Sequence, residues 1–272
     1  MIEPTDGVAE RPGRSVRPLA TGAAALAALG FAGLAWFVLS TAAGQRLDED
    51  AMRSVVAGRD TQDQLLSVLG YVSIGAVALM CLGAAALALL RGRVVVAVAA
   101  VGVIMAANLT TQVLKHALLD RAELVAGVAA PNSLPSGHTT VVAAGLGALF
   151  LASPRWLRPV AVALGAFALT LTGTSTVVAG WHRPSDVVAA ALIALGWTAV
   201  AAVVVDGEHR PLPGTVLLAV LGAAGAMVFL VVIGVRPSYG WAGALDAAVV
   251  LGSLTGALAV ITWLTQRISP TY

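Results

Sequence analysis

The chain has 272 residues, of which 58% are hydrophobic and only 11% charged, with 29 glycines and a mean hydropathy of +0.90. A soluble domain carries roughly a quarter charged residues, so a surface-and-core protein is excluded, and a net charge of +2 is too small and dispersed for a nucleic-acid surface. The single cysteine, Cys81, rules out an intrachain disulfide framework and argues against a cysteine-based metal cluster. Eight spans of about 20 residues would fill about 160 positions, which agrees with the hydrophobic fraction. The expected fold class is an all-α polytopic membrane protein with eight spans.

Residues 1–18, with Arg11, Arg14, Arg17, Pro4, Pro12 and Pro18, read as a flexible basic tail. The run Leu19 to Thr41 is long for a signal-peptide core, which favours a retained helix. The acidic segment 48–63 reads as an extracytoplasmic loop or a short amphipathic helix. Spans two and three, Leu65 to Leu90 and Val94 to Leu114, meet at the tight junction Arg91-Gly92-Arg93. Span four, His138 to Leu151, is short. With Ser136 as its cap and Ser153 as its end it reaches about 27 Å, enough for a thin or pinched bilayer. A second junction over 154–159 leads to Val160 to Ala179, Val187 to Val205, Val216 to Val235 and Trp241 to Leu264.

An even number of spans puts both termini on one side, which collects nine of the 16 basic residues. The short loops 91–93 and 153–159 carry basic residues and no acid. By the positive-inside rule the termini are cytoplasmic, in the cell membrane. Trp36, Trp156, Trp181, Trp241 and Trp263 fall near span ends, where an aromatic belt accounts for them. Asn108 and Asp246 lie within apolar runs without an evident partner, and His116 and His209 read as interfacial.

The rare polar chemistry gathers on one face. Lys115 and Arg121 follow span three, Pro135-Ser136-Gly137-His138 enters span four, and Trp181-His182-Arg183-Pro184-Ser185-Asp186 joins spans five and six. All three segments emerge on the extracytoplasmic side of the assigned topology. Ser136 caps a helix whose N–H groups attract an anion, and Gly137 lets that anion approach the backbone. Lys115, Arg121 and Arg183 bring positive charge for phosphate oxygens. Asp186 holds one ring nitrogen of His182 protonated and leaves the other free to attack. His138 is then placed to protonate a leaving oxygen. Two histidines, a carboxylate and a basic cradle suit phosphoryl transfer, where positioning and charge compensation dominate.

The Pro135-Ser136-Gly137-His138 motif is followed, 37 residues after His138, by Ser175-Thr176-x5-His182-x3-Asp186. Together they resemble the type 2 phosphatidic acid phosphatase (PAP2) superfamily of integral membrane phosphatases, over roughly residues 60–205. The resemblance implies a six-helix membrane domain over 19–205, preceded by the tail 1–18 and followed by two added helices and a short cytoplasmic end over 206–272. It implies a metal-independent lipid phosphatase in which His182 forms a phosphohistidine intermediate, Asp186 orients it and His138 is the general acid. Lys115, Arg121, Ser136, Gly137, Ser175 and Thr176 would hold the phosphate.

Two departures accompany the likeness. Lys115 precedes Arg121 by five intervening residues where the family has six, and Ala122-Glu123 stand where Arg-Pro is expected. The third motif begins Ser175-Thr176 in place of Ser-Arg; Thr176 offers one neutral hydrogen bond and no charged fork, and Arg183 is the expected replacement. The expected partner is a membrane lipid phosphate (polyprenyl diphosphate, phosphatidylglycerophosphate or phosphatidate) and no cofactor is expected. Two other readings stay open: a phosphotransferase passing phosphate to a sugar or lipid alcohol, and a transporter or structural membrane protein with a decayed site.

Overall fold

Alanine-, leucine- and valine-rich runs without internal proline favour helix, and the computed structural model, which describes residues 14–58, 62, 74–125, 131–235 and 243–271, holds nine α-helices among them. In chain order these are α1 (Arg17–Ser40), α2 (Ala42–Val55), α3 (Ile74–Leu89), α4 (Val94–Val113), α5 (Gly137–Ala152), α6 (Arg158–Val178), α7 (Pro184–Val205), α8 (Thr215–Val232) and α9 (Ala244–Ile268). Among the described residues six helices are long and apolar enough to cross a membrane, and two shorter apolar helices, Gly75–Leu89 and Gly137–Ala152, accompany them. The chain is a multi-pass, all-α membrane protein. Residues 1–13 of the tail, 59–61 and 63 of the acidic segment, 65–73 of span two and 241–242 of span eight lie outside the described residues.

The helices pack through small side chains. Helix α1 lies along α7, α4 against α5 and α7, α6 along α8, and α9 against α6, α7 and α8. A Cβ at Gly222 of α8 would run into the Ala163 carbonyl of α6, and one at Gly147 of α5 would strike the Thr198 hydroxyl of α7. Close backbone approach of this kind substitutes for the hydrophobic drive that lipid does not provide. Large apolar side chains instead face outward: Leu26, Leu79, Val98 and Val232 are all exposed.

At one end of the bundle the chain termini are tied down. Short strands β1 (Arg14–Ser15) and β2 (Glu208–His209) pair antiparallel, and the Glu208 carbonyl accepts the Thr271 N–H at 2.9 Å. Arg17 meets Asp206 at 3.1 Å. The end of the basic tail is therefore ordered by pairing, which corrects the expectation of a flexible segment throughout. Arg158, counted from sequence among the loop cations, is fully buried. Its guanidinium donates to the carbonyls of Ser269 (2.9 Å), Phe150 (2.9 Å) and Pro270, so it fastens the last residues to the helices.

The opposite end collects the π turn Leu114–Leu118 that finishes α4, the start of α5, the end of α6, the start of α7, and α2. Helix α2 begins at Thr41, whose hydroxyl oxygen accepts the Gly44 N–H at 3.0 Å. Its polar side chains turn inward: Gln45, Asp48 and Glu49 are buried while Leu47 is exposed. The acidic segment is thus an amphipathic helix at its start, with part of its charge facing the protein. Asn108 is satisfied within α4, donating to the Ile104 carbonyl at 2.8 Å.

Candidate active site

Three short stretches build the site. Helix α6 stops because Gly180 adopts a left-handed φ of 74°, and the Trp181 N–H folds back to the Thr176 carbonyl at 3.1 Å. The next N–H, that of His182, reaches the same carbonyl at 3.2 Å. Pro184 then starts α7, with the Asp186 carboxylate accepting the Arg183 N–H at 2.9 Å. This turn holds His182 and Asp186 on one side, and the His182 Nδ1 lies 3.0 Å from Asp186 Oδ2.

That distance decides the tautomer. A carboxylate oxygen only accepts, so Nδ1 carries the proton and Nε2 presents its lone pair. The assignment follows from the hydrogen-bond network. The same Oδ2 accepts the Ser133 hydroxyl at 2.6 Å, and Asp186 is fully buried. The Asp186 backbone carbonyl also accepts the Ser136 N–H at 3.0 Å, joining the α5 entrance to the α7 entrance.

At that entrance Ser136 caps α5 by accepting the Thr139 N–H at 3.4 Å. The Thr140 N–H bonds the Ser136 carbonyl at 3.0 Å, so the first-turn N–H groups of Gly137 and His138 are the donors left to face a ligand. A Cβ at Gly137 would meet nothing within 4 Å, which leaves open space beside those donors. His138 has His182 and Lys115 as neighbours, and its ring lies 6.1 Å from that of Trp181. Arg121 sits among Arg183, Asp48, Asp186 and Glu49, and burial, followed by the Arg183 charge, lowers its pKa below the ordinary arginine range. Its buried Nε and Nη2 have no hydrogen-bond partner among the described residues.

Two sequence-selected groups are placed differently from expectation. The Thr176 hydroxyl donates to the Gly173 carbonyl at 2.7 Å within its own helix, and the residue serves His182 through its backbone carbonyl instead. The neighbouring Ser175 hydroxyl is buried with no hydrogen-bond partner among the described residues. Arg183 is nearly enclosed; its Nε donates to Glu49 Oε2 at 3.0 Å and its Nη1 to the Ser133 hydroxyl at 3.0 Å. Its charge already has a carboxylate partner, so it stands in the site as part of an ion pair with Glu49.

Ser133, Asp48, Glu49 and Ser185 were not selected from sequence. Ser133 stands two residues before Pro135, and Gln45, Asp48 and Glu49 form a polar stripe at helical spacing, a signal that an inward polar face of α2 would have explained. No group of three or more histidine, cysteine, aspartate or glutamate side chains arranged to hold a metal ion occurs among the described residues.

Residues 96–210 match the model of the PAP2 superfamily. The matched segment runs from within α4 through β2 and contains His138, His182, Asp186, Lys115, Arg121 and Ser133. Chemistry of the phosphatase and phosphotransferase type goes with the superfamily. No curated protein and no solved structure matches the chain.

Proposed function

We propose that the protein hydrolyses a phosphomonoester or diphosphate carried by a membrane lipid, with His182 as nucleophile. The single observation that carries this reading is the 3.0 Å contact of His182 Nδ1 with buried Asp186, which leaves Nε2 to attack phosphorus. The P–O bond from the attacked phosphorus to its leaving oxygen, a lipid oxygen in a monoester or the bridging oxygen in a diphosphate, breaks as the N–P bond forms, and His138 gives its proton to that oxygen. Water then attacks the phosphohistidine, His138 takes a proton back, and inorganic phosphate leaves. Lys115, the unpartnered donors of Arg121, and the N–H groups at Gly137 and His138 form the phosphate cradle.

The substrate class is a polyprenyl diphosphate, phosphatidylglycerophosphate or phosphatidate, whose apolar chain stays in the bilayer while the phosphate enters the end bearing His138 and His182. We place that end outside the cytoplasm of the cell membrane, with the eight helices other than α2 crossing and both termini inside. Residues 19–205 form the catalytic domain and 206–272 an added helix pair. The test is phosphate release from a purified lipid panel by the protein and by His182→Ala. Release by the former alone supports the reading; a folded protein releasing none overturns it.

A second reading, transfer of the phosphate to an organic alcohol, is favoured by a cleft of about 460 Å³ between α2 and the turn before His182, lined by Glu49, Met52, Arg53, Val56, Gln62 and Trp181 among others. Product analysis with sugar and polyol acceptors separates the two: the organic phosphate appears only in a transfer.

A further inference from the structure

The acids of α2 lie outside the phosphate chemistry, yet they grip the turn that carries it. Asp48 accepts the Ser185 N–H through Oδ1 at 3.1 Å and the Ser185 hydroxyl through Oδ2. Glu49 accepts Arg183 Nε at 3.0 Å through Oε2 and Arg53 Nε at 3.1 Å through Oε1. Arg183 and Ser185 bracket Pro184 between His182 and Asp186, so Asp48 holds the backbone of this turn at Ser185 and Glu49 holds it through the Arg183 side chain. The side chains continue the grip. From Glu49 the bonds pass to Arg183, from Arg183 Nη1 to Ser133, from Ser133 to Asp186 Oδ2 and from there to His182 Nδ1.

This arrangement is costly for a purely structural contact. Burial pushes the Asp48 carboxyl up to about 6, against the hydrogen bonds from Ser185 that favour its charged form. Burying a carboxylate is seldom a net gain over a well-packed apolar residue. What a hydrogen-bonded acid gives that an apolar residue cannot is a fixed direction. The first turn of α7 and the rotamer of Asp186 are both fixed in direction here.

We propose that Asp48 and Glu49 are positioning residues: α2 is a clasp that holds the His182–Asp186 pair in register with the cradle at the start of α5. The proposal rests on the reading of His182 as nucleophile and adds to it. Within it Arg183 transmits position, and the charge that meets the phosphate comes from Arg121 and Lys115.

The test uses the full chain in detergent micelles or nanodiscs, with the variants Asp48→Ala, Glu49→Ala, Asp48→Asn and Glu49→Gln. Two readouts are taken: kcat and KM for phosphate release, and the rate at which diethyl pyrocarbonate modifies His182 relative to exposed His116, resolved by peptide mass spectrometry. The alanine variants are expected to lower kcat roughly ten- to a hundredfold, as small misplacement of a nucleophile does, with KM within about twofold. They are also expected to raise the His182-to-His116 modification ratio about threefold or more as the turn opens locally. Asp48→Asn keeps an acceptor for the Ser185 N–H and is expected to retain most of kcat.

Alanine variants with wild-type kcat and ratio overturn the proposal, as does a rise in KM alone, or Asp48→Asn as impaired as Asp48→Ala. If the alanine variants fail to fold, Glu49→Gln decides: a reduced kcat with a raised ratio supports the clasp, and wild-type values overturn it. A wild-type protein that releases no phosphate sinks the hydrolase reading, while the modification ratio still decides the clasp.

Discussion

Two buried arginines, one at each end of the bundle, are satisfied in different ways. Arg158 donates to backbone carbonyls of Phe150, Ser269 and Pro270. Arg183 meets the Glu49 carboxylate and a hydroxyl that in turn bonds the histidine's partner. Carbonyl acceptors serve to fasten the chain. A carboxylate, a hydroxyl and a second carboxylate in series end on an imidazole and fix where its lone pair points. The same residue type is a staple at one end and part of an aiming device at the other. Burial alone does not separate the two roles; the identity of the acceptors does.

Substitutions can break this contrast or sharpen it. The largest effect is expected at the hub of the aiming device. Asp186→Asn should lower kcat on the order of 10²–10⁴-fold with little change in Tm, measured by steady-state phosphate release and thermal unfolding. A kcat within tenfold of wild type would remove the distinction between the two ends. Arg158→Ala should do the reverse. Three carbonyls lose their donor, at a cost of about 2–4 kcal/mol in stability, while kcat measured below the unfolding transition stays within about twofold.

Smaller effects concern the charges around the aiming device. Arg121→Ala should weaken competitive inhibition by inorganic phosphate about tenfold, with no loss of Tm, because the buried donors it removes have no protein partner among the described residues. Asp48 gives a pH test. Its folded-state pKa of about 6 stands above the ordinary 3.8, so the folded protein holds a proton that the unfolded chain has released. The contribution of this group to stability is therefore full below about pH 4 and is lost as pH rises through about 6. Tm followed across that window should fall less in Asp48→Asn than in wild type; parallel curves would show that burial of this acid is not felt by the fold.

Much of the bilayer architecture was legible because it depends on one property, the length of uncharged apolar runs. The helix starting at Gly137 with Ser136 as cap and Ser153 beyond its end follows directly from the capping chemistry of serine, and the described helices of the remaining spans begin within about three residues of their apolar runs wherever those starts are described. The contact of His182 with Asp186 was legible because their i, i+4 spacing across a proline-started helix lets the side chains meet. The rest depended on tertiary contacts. Nothing local in the sequence tells that Asp48 and Glu49 meet residues more than 130 positions away, or that Arg158 faces inward while Arg155 stays exposed. The Thr176 hydroxyl bond depends on its helix: an intrahelical carbonyl competes for a threonine hydroxyl there.

The paired strands at the far end have a consequence for the chain as a connected object. Ser15 pairs with Glu208 on one side, and Thr271 bridges Glu208 on the other, so the two ends of the described chain lie about 10 Å apart, twice the spacing of neighbouring strands. With residues 1–13 removed, a linker of a few residues from the end of the chain to Arg14 would close the backbone into a ring. New ends could then be opened at an exposed turn such as that around Gly92, where a Cβ would meet nothing within 4 Å. The order of the helices in space would be kept while their order in synthesis changed.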